Sequence, residues 1–455
     1  MAAESKPLVS LDQLLEPFHE SEKPRARWKI GTEAEKCGIY QDGSPVPFSG
    51  EGGVRAVLEH LASDHGWIED REVEGGELIA LRRGEASITL EPGAQLELSG
   101  APLATIHETC TEFHGHMQEL EQISQKFGIT WLGLGFHPLA RREDLRFVPK
   151  LRYGVMQSYL PTRGQHGLDM MLRTCTVQAN LDYASEADAI RKLRISLRIQ
   201  PIVTAMFANS PFVEGKLANG HGNEGDKSFR ARVWLDVDPD RSGLLDFAWG
   251  DDAMGYQRYI EWALDCPMFL VKRDSKLIHN TGQTFRNYMK DGFEGVTANA
   301  EDWVTHINSM FPEVRLKRTL EMRGADAQAT DMLCALPALF KGLLYDDNAM
   351  AKVEALASKI HLDDAKAARP EIAAKALRAK LGGREVAEWA SEIVAIAGEG
   401  LEHLACLNAG GASERIHLAR LEKLVAEGQS PADALLEKID MQKPLVGQLL
   451  THAKL

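Results

Sequence analysis

The chain has 455 residues, with 52 Lys and Arg against 66 Asp and Glu, a formal charge of −14 at pH 7. Hydrophobic residues at 44% and charged residues at 26% are ordinary for a globular protein and exclude collagen-like, coiled-coil and disordered classes. The acidic balance argues against nucleic acid, which needs a basic footprint, and no apolar run approaches the ~20 residues of a membrane span, so neither is an expected partner.

The N-terminal stretch MAAESKPLVSLDQLLEPFHE has acids throughout and no apolar core. It reads as a short amphipathic helix rather than a signal peptide. The six cysteines (Cys37, Cys110, Cys175, Cys266, Cys334 and Cys406) form no CxxC pair and are too sparse for a disulfide scaffold. Reduced thiols in a cytoplasmic protein are the expectation.

In chain order, the first informative segment is WKIGTEAEKCGIY, where Glu33 and Glu35 share a face if the backbone is extended. From Ser87 to Leu98, Ile88 and Leu90 alternate with Thr89 and Glu91. Pro92-Gly93 breaks the run, and Gln95 and Glu97 then alternate with Leu96 and Leu98. Leu103–Lys126 and Glu186–Ala208 are strong helical candidates, as is Asp331–Tyr345 further on. Thr174 to Tyr183 has period two, with Cys175, Val177, Ala179, Leu181 and Tyr183 on one side and Thr174, Thr176, Gln178, Asn180 and Asp182 on the other. The most loop-like stretch is Glu214–Lys227. Val314 to Arg323 alternates again, with Val314, Leu316, Leu320 and Met322 opposite Arg315, Lys317, Thr319, Glu321 and Arg323, and with Arg318 interrupting.

These polar faces concentrate carboxylates, amides and arginines instead of the usual solvated mixture. The pattern predicts an antiparallel sheet with one open polar face and helices behind the other. After Tyr345 the texture becomes Ala/Leu/Glu/Lys-rich and helical, with Pro370, Gly382-Gly383, Gly410-Gly411 and Pro431 as punctuation. The expected division is a catalytic unit over residues 1–345 and a helical region over 346–455 packed on it.

Glu33, Glu35, Glu91, Gln95 and Glu97 on one sheet face would repel one another unless cations sit among them. Mg2+ is held by a few carboxylates plus phosphate oxygens. The competing reading is a solvated acidic rim. Glu321 and Arg323 lie two apart, suited to metal and phosphate respectively, or to an in-sheet salt bridge. Asp236, Asp238 and Asp240 imitate a calcium loop but lack its glycine and its twelfth-position glutamate, so that reading fails. Arg230 and Arg232, just before them, are better candidates for a substrate carboxylate. No GxxxxGK[ST] loop or GxSxG elbow occurs, and Gly133 and Gly135 give GxG with Pro138 in place of the third glycine of a dinucleotide fingerprint.

WKIGTEAEKCGIY and ITLEPGAQLELSGAPL together resemble motifs of plant-type glutamate–cysteine ligase. The resemblance continues through WLGLGFHPLARRED, YGVMQSYLPTRG, GLDMMLRTCTVQANLDYASEADAIRK, FANSPFVEGK and FPEVRLKRTLEMRGAD to CALPALFKGLLYDD, and covers Trp28 to Asp347. It implies an α+β fold related to glutamine synthetase, with a curved antiparallel sheet, an open active-site face and helices behind. It implies ATP- and Mg2+-dependent joining of the L-glutamate γ-carboxylate to the L-cysteine amine through an acyl phosphate, with two or more metal ions and no obligatory protein partner. A related ligase with another amine acceptor is the alternative.

Carried over by residue, the metal-binding groups are Glu33, Glu35, Glu91, Gln95, Glu97 and Glu321, with Glu33, Glu35 and Arg323 catalytic. Arg230 matches the arginine on the glutamate carboxylate, with Gln178 and Asn180 facing the same site. Arg323, Arg315 and Lys317 are assigned to the ATP phosphates, chiefly from their shared sheet face. Plant relatives carry a redox-active cysteine pair in a hairpin; here Asn280 holds the first position and DGFEGVTANA has no cysteine, so that switch is expected to be absent. Cys110 and Cys334 match a second plant pair.

Overall fold

Strand alternation in the sequence resolves into a single large sheet. The computed structural model describes residues 7–8, 10–72, 75–218, 225–250, 255–273 and 276–455. Its main sheet has nine strands: β1 (Ile30–Ile39), β2 (Ile68–Arg71), β3 (Leu78–Arg83), β4 (Ala86–Leu90), β5 (Leu96–Ser99), β6 (Thr130–Leu132), β7 (Thr176–Leu181), β8 (Val314–Leu316) and β9 (Leu320–Asp326). The order is β8-β9-β7-β1-β5-β4-β3-β2, with β6 on the last residues of β1. Every pairing is antiparallel. The α+β class and the antiparallel sheet expected from the sequence are therefore what the chain adopts.

One expectation is corrected in detail. Val314–Arg323 is not one strand but a hairpin, with Arg315 opposite Glu321 and a turn closed by the Lys317 N–H donating to the Thr319 carbonyl. Arg318, which broke the alternation, marks that turn. Residues directly opposed across antiparallel strands point to the same face, so the hairpin keeps Arg315, Glu321 and Arg323 together.

The other face is apolar. Ala34, Ile88, Leu90, Leu96, Leu98, Val177, Ala179, Leu181, Val314, Leu316, Leu320 and Met322 are all buried. Helices cover it: α1 (Ile106–Phe127), α2 (Glu186–Met206) and α3 (Ala335–Tyr345). The α1 N-terminus is fixed by a reciprocal cap between Thr105 and Glu108, and its end is set by Gly128 in the left-handed region. The Ser185 hydroxyl caps α2 by accepting from the Asp188 N–H. The helix is buried on most sides because it lies between the sheet and the C-terminal helices.

Those C-terminal helices share the same continuous core. Their helical faces Val353/Leu356/Ala357/Ile360 and Val386/Trp389/Ala390/Ile393 are all buried. Pro370 departs from expectation, lying inside helix α4 (Leu362–Lys375) instead of ending it. Burial of Ala365, Ala368, Ile372 and Ala373 around it outweighs the lost backbone bond. Of the Glu214–Lys227 loop, residues 219–224 lie outside the described residues, and Lys216–Leu217 pairs with Phe212–Val213 in a short hairpin. The expectation of uniformly reduced thiols is also corrected. Cys110 of α1 and Cys334, just before α3, form a disulfide with Cα atoms 5.9 Å apart.

The crossing of α3 with α5 (Val386–Leu404) sets how closely the C-terminal helices approach the core. A Cβ on Gly342 would lie 2.2 Å from the Ala397 carbonyl oxygen, and one on Gly400 would lie 2.0 Å from the Gly342 carbonyl oxygen. Backbone meets backbone, so no rotamer change relieves either clash. We expect Gly342→Ala and Gly400→Ala each to lower unfolding free energy by about 1–3 kcal/mol, and the double variant to lose less than the sum because both act at one crossing. Urea unfolding tests this; wild-type stability in both single variants would mean the helices can part without loss.

Candidate functional site

The polar face carries the site because strand register aligns its side chains in a row. Glu35 faces Glu97, which faces Thr89; Glu33 faces Gln178 and Ser99; Glu321 faces Asn180 and Arg315. From β8 to β5 the row therefore runs from cations to carboxylates. It floors a cavity of about 470 Å³, lined by Glu33, Glu35, Glu91, Gln95, Glu97, Gln178, Arg230, Arg315, Lys317, Glu321 and Arg323 among others. Of the residues singled out from the sequence, only Asn180 and Arg232 do not line it. Asn180 borders it through its Nδ2, which donates to Glu33 Oε1 at 3.1 Å.

The two ends of the row differ in how their charges are satisfied. Glu321 is buried and takes Arg315 in a two-pronged pair (2.6 and 2.9 Å), Arg323 at 2.9 Å and Lys317 at 3.2 Å. Burial raises its pKa, but those three cations outweigh burial and hold the carboxyl well below its usual range. Glu33, Glu35, Glu91 and Glu97 have no ion pair within 4 Å among the described residues. Glu97 accepts from the Thr89 and Ser99 hydroxyls, and Glu35 from the Thr176 N–H at 2.9 Å. Burial, then the charges of Glu321 and Glu97, pushes Glu33 up to about 8. Burial, then Glu91 and Glu97, likewise drives Glu35 well above the ordinary carboxylate value.

Such a cluster fits divalent cations. Hard ions take carboxylate oxygens, and without them part of this cluster must hold protons. A merely solvated rim would not show this burial: Glu97 is 7% exposed and Glu321 1% exposed. Glu321 is already neutralised by its cations, so the carboxylates left for metal are Glu33, Glu35, Glu91 and Glu97.

Several residue roles differ from expectation. Arg315 spends four of its five donors on Glu321 and the carbonyls of Asn308 and Met310, so it anchors Glu321 and is not a free phosphate donor. Gln95 accepts from the Gly93 N–H and donates to the Met171 and Thr174 carbonyls, bracing the turn between β4 and β5. Arg232 pairs with Asp226 at 2.6 and 2.8 Å, away from the cavity. Asp238, in the rejected calcium motif, forms a buried pair with Arg241. Arg230 is 4% exposed, hydrogen-bonds the Arg323 carbonyl, and has no partner for its Nε among the described residues.

Sequence reasoning missed Arg152, Tyr153, Trp234 and Phe269 on the cavity wall. Tyr153 opens YGVMQSYLPTRG, a motif that carried the family resemblance, and Arg152 lies just before it.

The protein-family model described as Glutamate-cysteine ligase family 2 (GCS2) matches residues 29–452. Chloroplastic glutamate–cysteine ligases of Medicago truncatula (41% identity, 95% of this chain and 82% of that protein) and Arabidopsis thaliana (41%, 91% and 77%) are similar in sequence. So is the chloroplastic ligase B of Oryza sativa subsp. japonica (40%, 95% and 86%). In fold, the chain is similar to the glutamate–cysteine ligase of Francisella tularensis solved in complex with AMP, with TM-score 0.57 at 12% identity over 94% of this chain and 87% of that one. The relatives' chloroplastic designation overturns the cytoplasmic location expected from the sequence. Among the described residues no helix is long and apolar enough to cross a membrane.

The raised Glu33 carboxyl has a measurable consequence. The folded, metal-free protein keeps a proton there that the unfolded chain releases near 4.5. Stability should therefore fall as pH rises from about 4.5 toward about 8. Mg2+ should remove this slope and release protons on binding. Melting temperature against pH, with and without Mg2+, tests it; a metal-free protein equally stable across that range would contradict it.

Proposed function

The chain belongs to glutamate-cysteine ligase family 2, and from this and the sheet-face geometry we infer that it joins the γ-carboxylate of L-glutamate to the amine of L-cysteine at the expense of ATP. The observation that carries the reading is the row of charge: four carboxylates with no ion pair among the described residues at one end, Arg323 and Lys317 beside Glu321 at the other, and Arg230 and Arg152 on the cavity wall. A polyphosphate needs both, since cationic side chains neutralise its oxygens and carboxylates would hold a metal that offsets the remaining charge. That a neighbour of the same fold was solved with AMP agrees with a nucleotide co-substrate.

In this reading Glu33, Glu35, Glu91 and Glu97 hold Mg2+, which when bound offsets charge on the phosphate oxygens. Arg230 takes the glutamate α-carboxylate in its planar fork. Gln178 orients Arg323 by accepting from its Nη1 at 3.1 Å, and Asn180 steadies Glu33. Arg323 and Lys317 face the transferred phosphoryl group, and Arg315 keeps Glu321 charged so that both stay aligned. The γ-carboxylate oxygen attacks the terminal phosphorus of ATP and ADP leaves. The cysteine amine then attacks the acyl carbon of the γ-glutamyl phosphate, loses a proton, and expels phosphate. Charge neutralisation and positioning supply most of the acceleration.

Mass-spectrometric detection of γ-glutamylcysteine from ATP, glutamate and cysteine tests the activity. Faster phosphate release with another amine than with cysteine would reassign the acceptor. Glu35→Gln removes a ligand charge and should cut turnover by more than about 100-fold with the fold intact; near-normal turnover at saturating Mg2+ would remove Glu35 from the metal site. Arg230→Lys keeps charge but loses the fork, and should weaken glutamate far more than ATP. Equal weakening of both would move Arg230 out of the glutamate pocket.

A further inference from the structure

Behind the sheet, three sequence-distant elements bring sulfur and imidazole together. Cys110 lies on α1, Cys334 precedes α3, and His417 sits in the short turn Glu414–Leu418. The disulfide cysteines are 9% and 6% exposed, and their sulfurs and one His417 ring nitrogen lie within 4.8 Å of one another. We propose that, once the Cys110–Cys334 disulfide is reduced, Cys110, Cys334 and His417 form a binding site for a thiophilic divalent cation of the Zn2+ class, separate from the carboxylate cluster.

The geometry is close to what such an ion needs. With Zn–S near 2.3 Å and Zn–N near 2.0 Å, tetrahedral ligands stand about 3.5 Å apart for an S–N pair and about 3.8 Å for an S–S pair. His417 Nδ1 is already 3.3 Å from Cys110 Sγ. The Cα separation of 5.9 Å lets two free thiolates reach the wider spacing by side-chain rotation alone.

The ring is also held as a ligand ring should be. His417 Nε2 lies 2.9 Å from His107 Nδ1. With Nδ1 on the metal, Nε2 would carry the hydrogen and donate to His107 Nδ1, fixing tautomer and orientation as outer partners of metal-bound histidines do. His107 then bears its own hydrogen on Nε2, an atom with no other partner among the described residues. Burial, then the neighbouring His107 and His114, lowers His417 to about 4, which keeps its lone pair free at neutral pH. His417 is half-buried, leaving room on its solvent side for water as fourth ligand. Two thiolates and an imidazole select soft or borderline ions over Mg2+, so the two sites do not compete for one metal.

The chemistry balances with a thiol reductant, the class to which the proposed cysteine substrate belongs. Two thiols give two electrons to the sulfur–sulfur bond and become a disulfide, while Cys110 and Cys334 each gain a proton. Metal binding then displaces those two protons to solvent, with no further change in oxidation state. The cation would replace the disulfide as the link between α1 and α3 and add a tie to the C-terminal turn.

The test uses the full chain, reduced with a phosphine so that no added thiol competes for metal, and titrated anaerobically with Co2+ and then Zn2+. We expect a thiolate–cobalt charge-transfer band saturating at one ion per chain, bleached by Zn2+ and unaffected by excess Mg2+. Oxidised protein and Cys110→Ser should give no band, and His417→Ala should bind at least tenfold more weakly. Absence of the band in reduced wild type, its survival in Cys110→Ser, or unchanged affinity in His417→Ala would each overturn the proposal. Should either variant fail to fold, wild type alone decides: Zn2+ should slow alkylation of Cys110 and Cys334, mapped by mass spectrometry, and equal labelling with and without Zn2+ would overturn it.

Discussion

Repulsion among carboxylates on one face of an antiparallel sheet is the constraint on which the rest of this molecule depends. Glu33, Glu35 and Glu97 are fixed by the pairing of β1 with β5 and cannot move apart without breaking the ladder. Three cations on one carboxylate, Glu321, shift charge balance at the far end of the row, but none of them pairs with the near end. The metal-free protein answers by raising carboxyl pKa values. A buried anion without a counter-ion is costly enough that holding a proton is preferable. The same cost would favour divalent cations on this face, which is the role proposed for its carboxylates.

The face could be read from the sequence because strand geometry converts spacing into direction. Glu33 and Glu35, Gln178 and Asn180, and Glu321 and Arg323 are each two apart, and period two puts each pair on one side whatever the neighbouring strand does. The covering helices were legible for a similar reason. Their apolar residues are dense enough to require burial, and the sheet's other face was the place available. Even the error at Arg318 preserved the answer, since the strands of a hairpin with matched register present the same face as the single strand imagined.

What was not legible depends on contacts that spacing does not encode. Arg315 and Arg323 share a face and a residue type, yet one guanidinium is locked by two main-chain carbonyls of the Asn308–Met310 segment, and the other's partners among the described residues are Glu321 and Gln178. Alternation assigns both to phosphate, and only the course of the chain before β8 separates them. Gln95 has the parity of a metal ligand but stands at a turn where unpaired backbone groups claim its amide. Pro370 ends a helix by local rules and fails to end α4 because tertiary burial overrides local preference. Cys110 and Cys334 are 224 residues apart, and no local pattern pairs them; only the resemblance to plant enzymes placed them together.

The hairpin Leu270–Arg273/Lys276–His279 shows how one substitution redistributes the task of holding a cavity wall. Phe269, Leu270, Lys272 and Leu277 line the cavity above the carboxylates, so the hairpin's position helps set the width of the site. Asn280, where the resemblance marked a missing cysteine, is 1% exposed; its N–H donates to the Phe269 carbonyl and its side-chain amide donates to Gln283 at 3.0 Å. At the other end Arg273 grips Asp302 with two bonds of 2.6 Å, supported by the Tyr288 hydroxyl. These ties are polar and reversible, and they lie at the edges of the hairpin, leaving Leu270 and Leu277 to face the cavity. A covalent bridge would make the wall's position answer to redox conditions. A network of amides and ion pairs ties it without sulfur, and the Cys110–Cys334 pair behind the sheet is the one disulfide among the described residues.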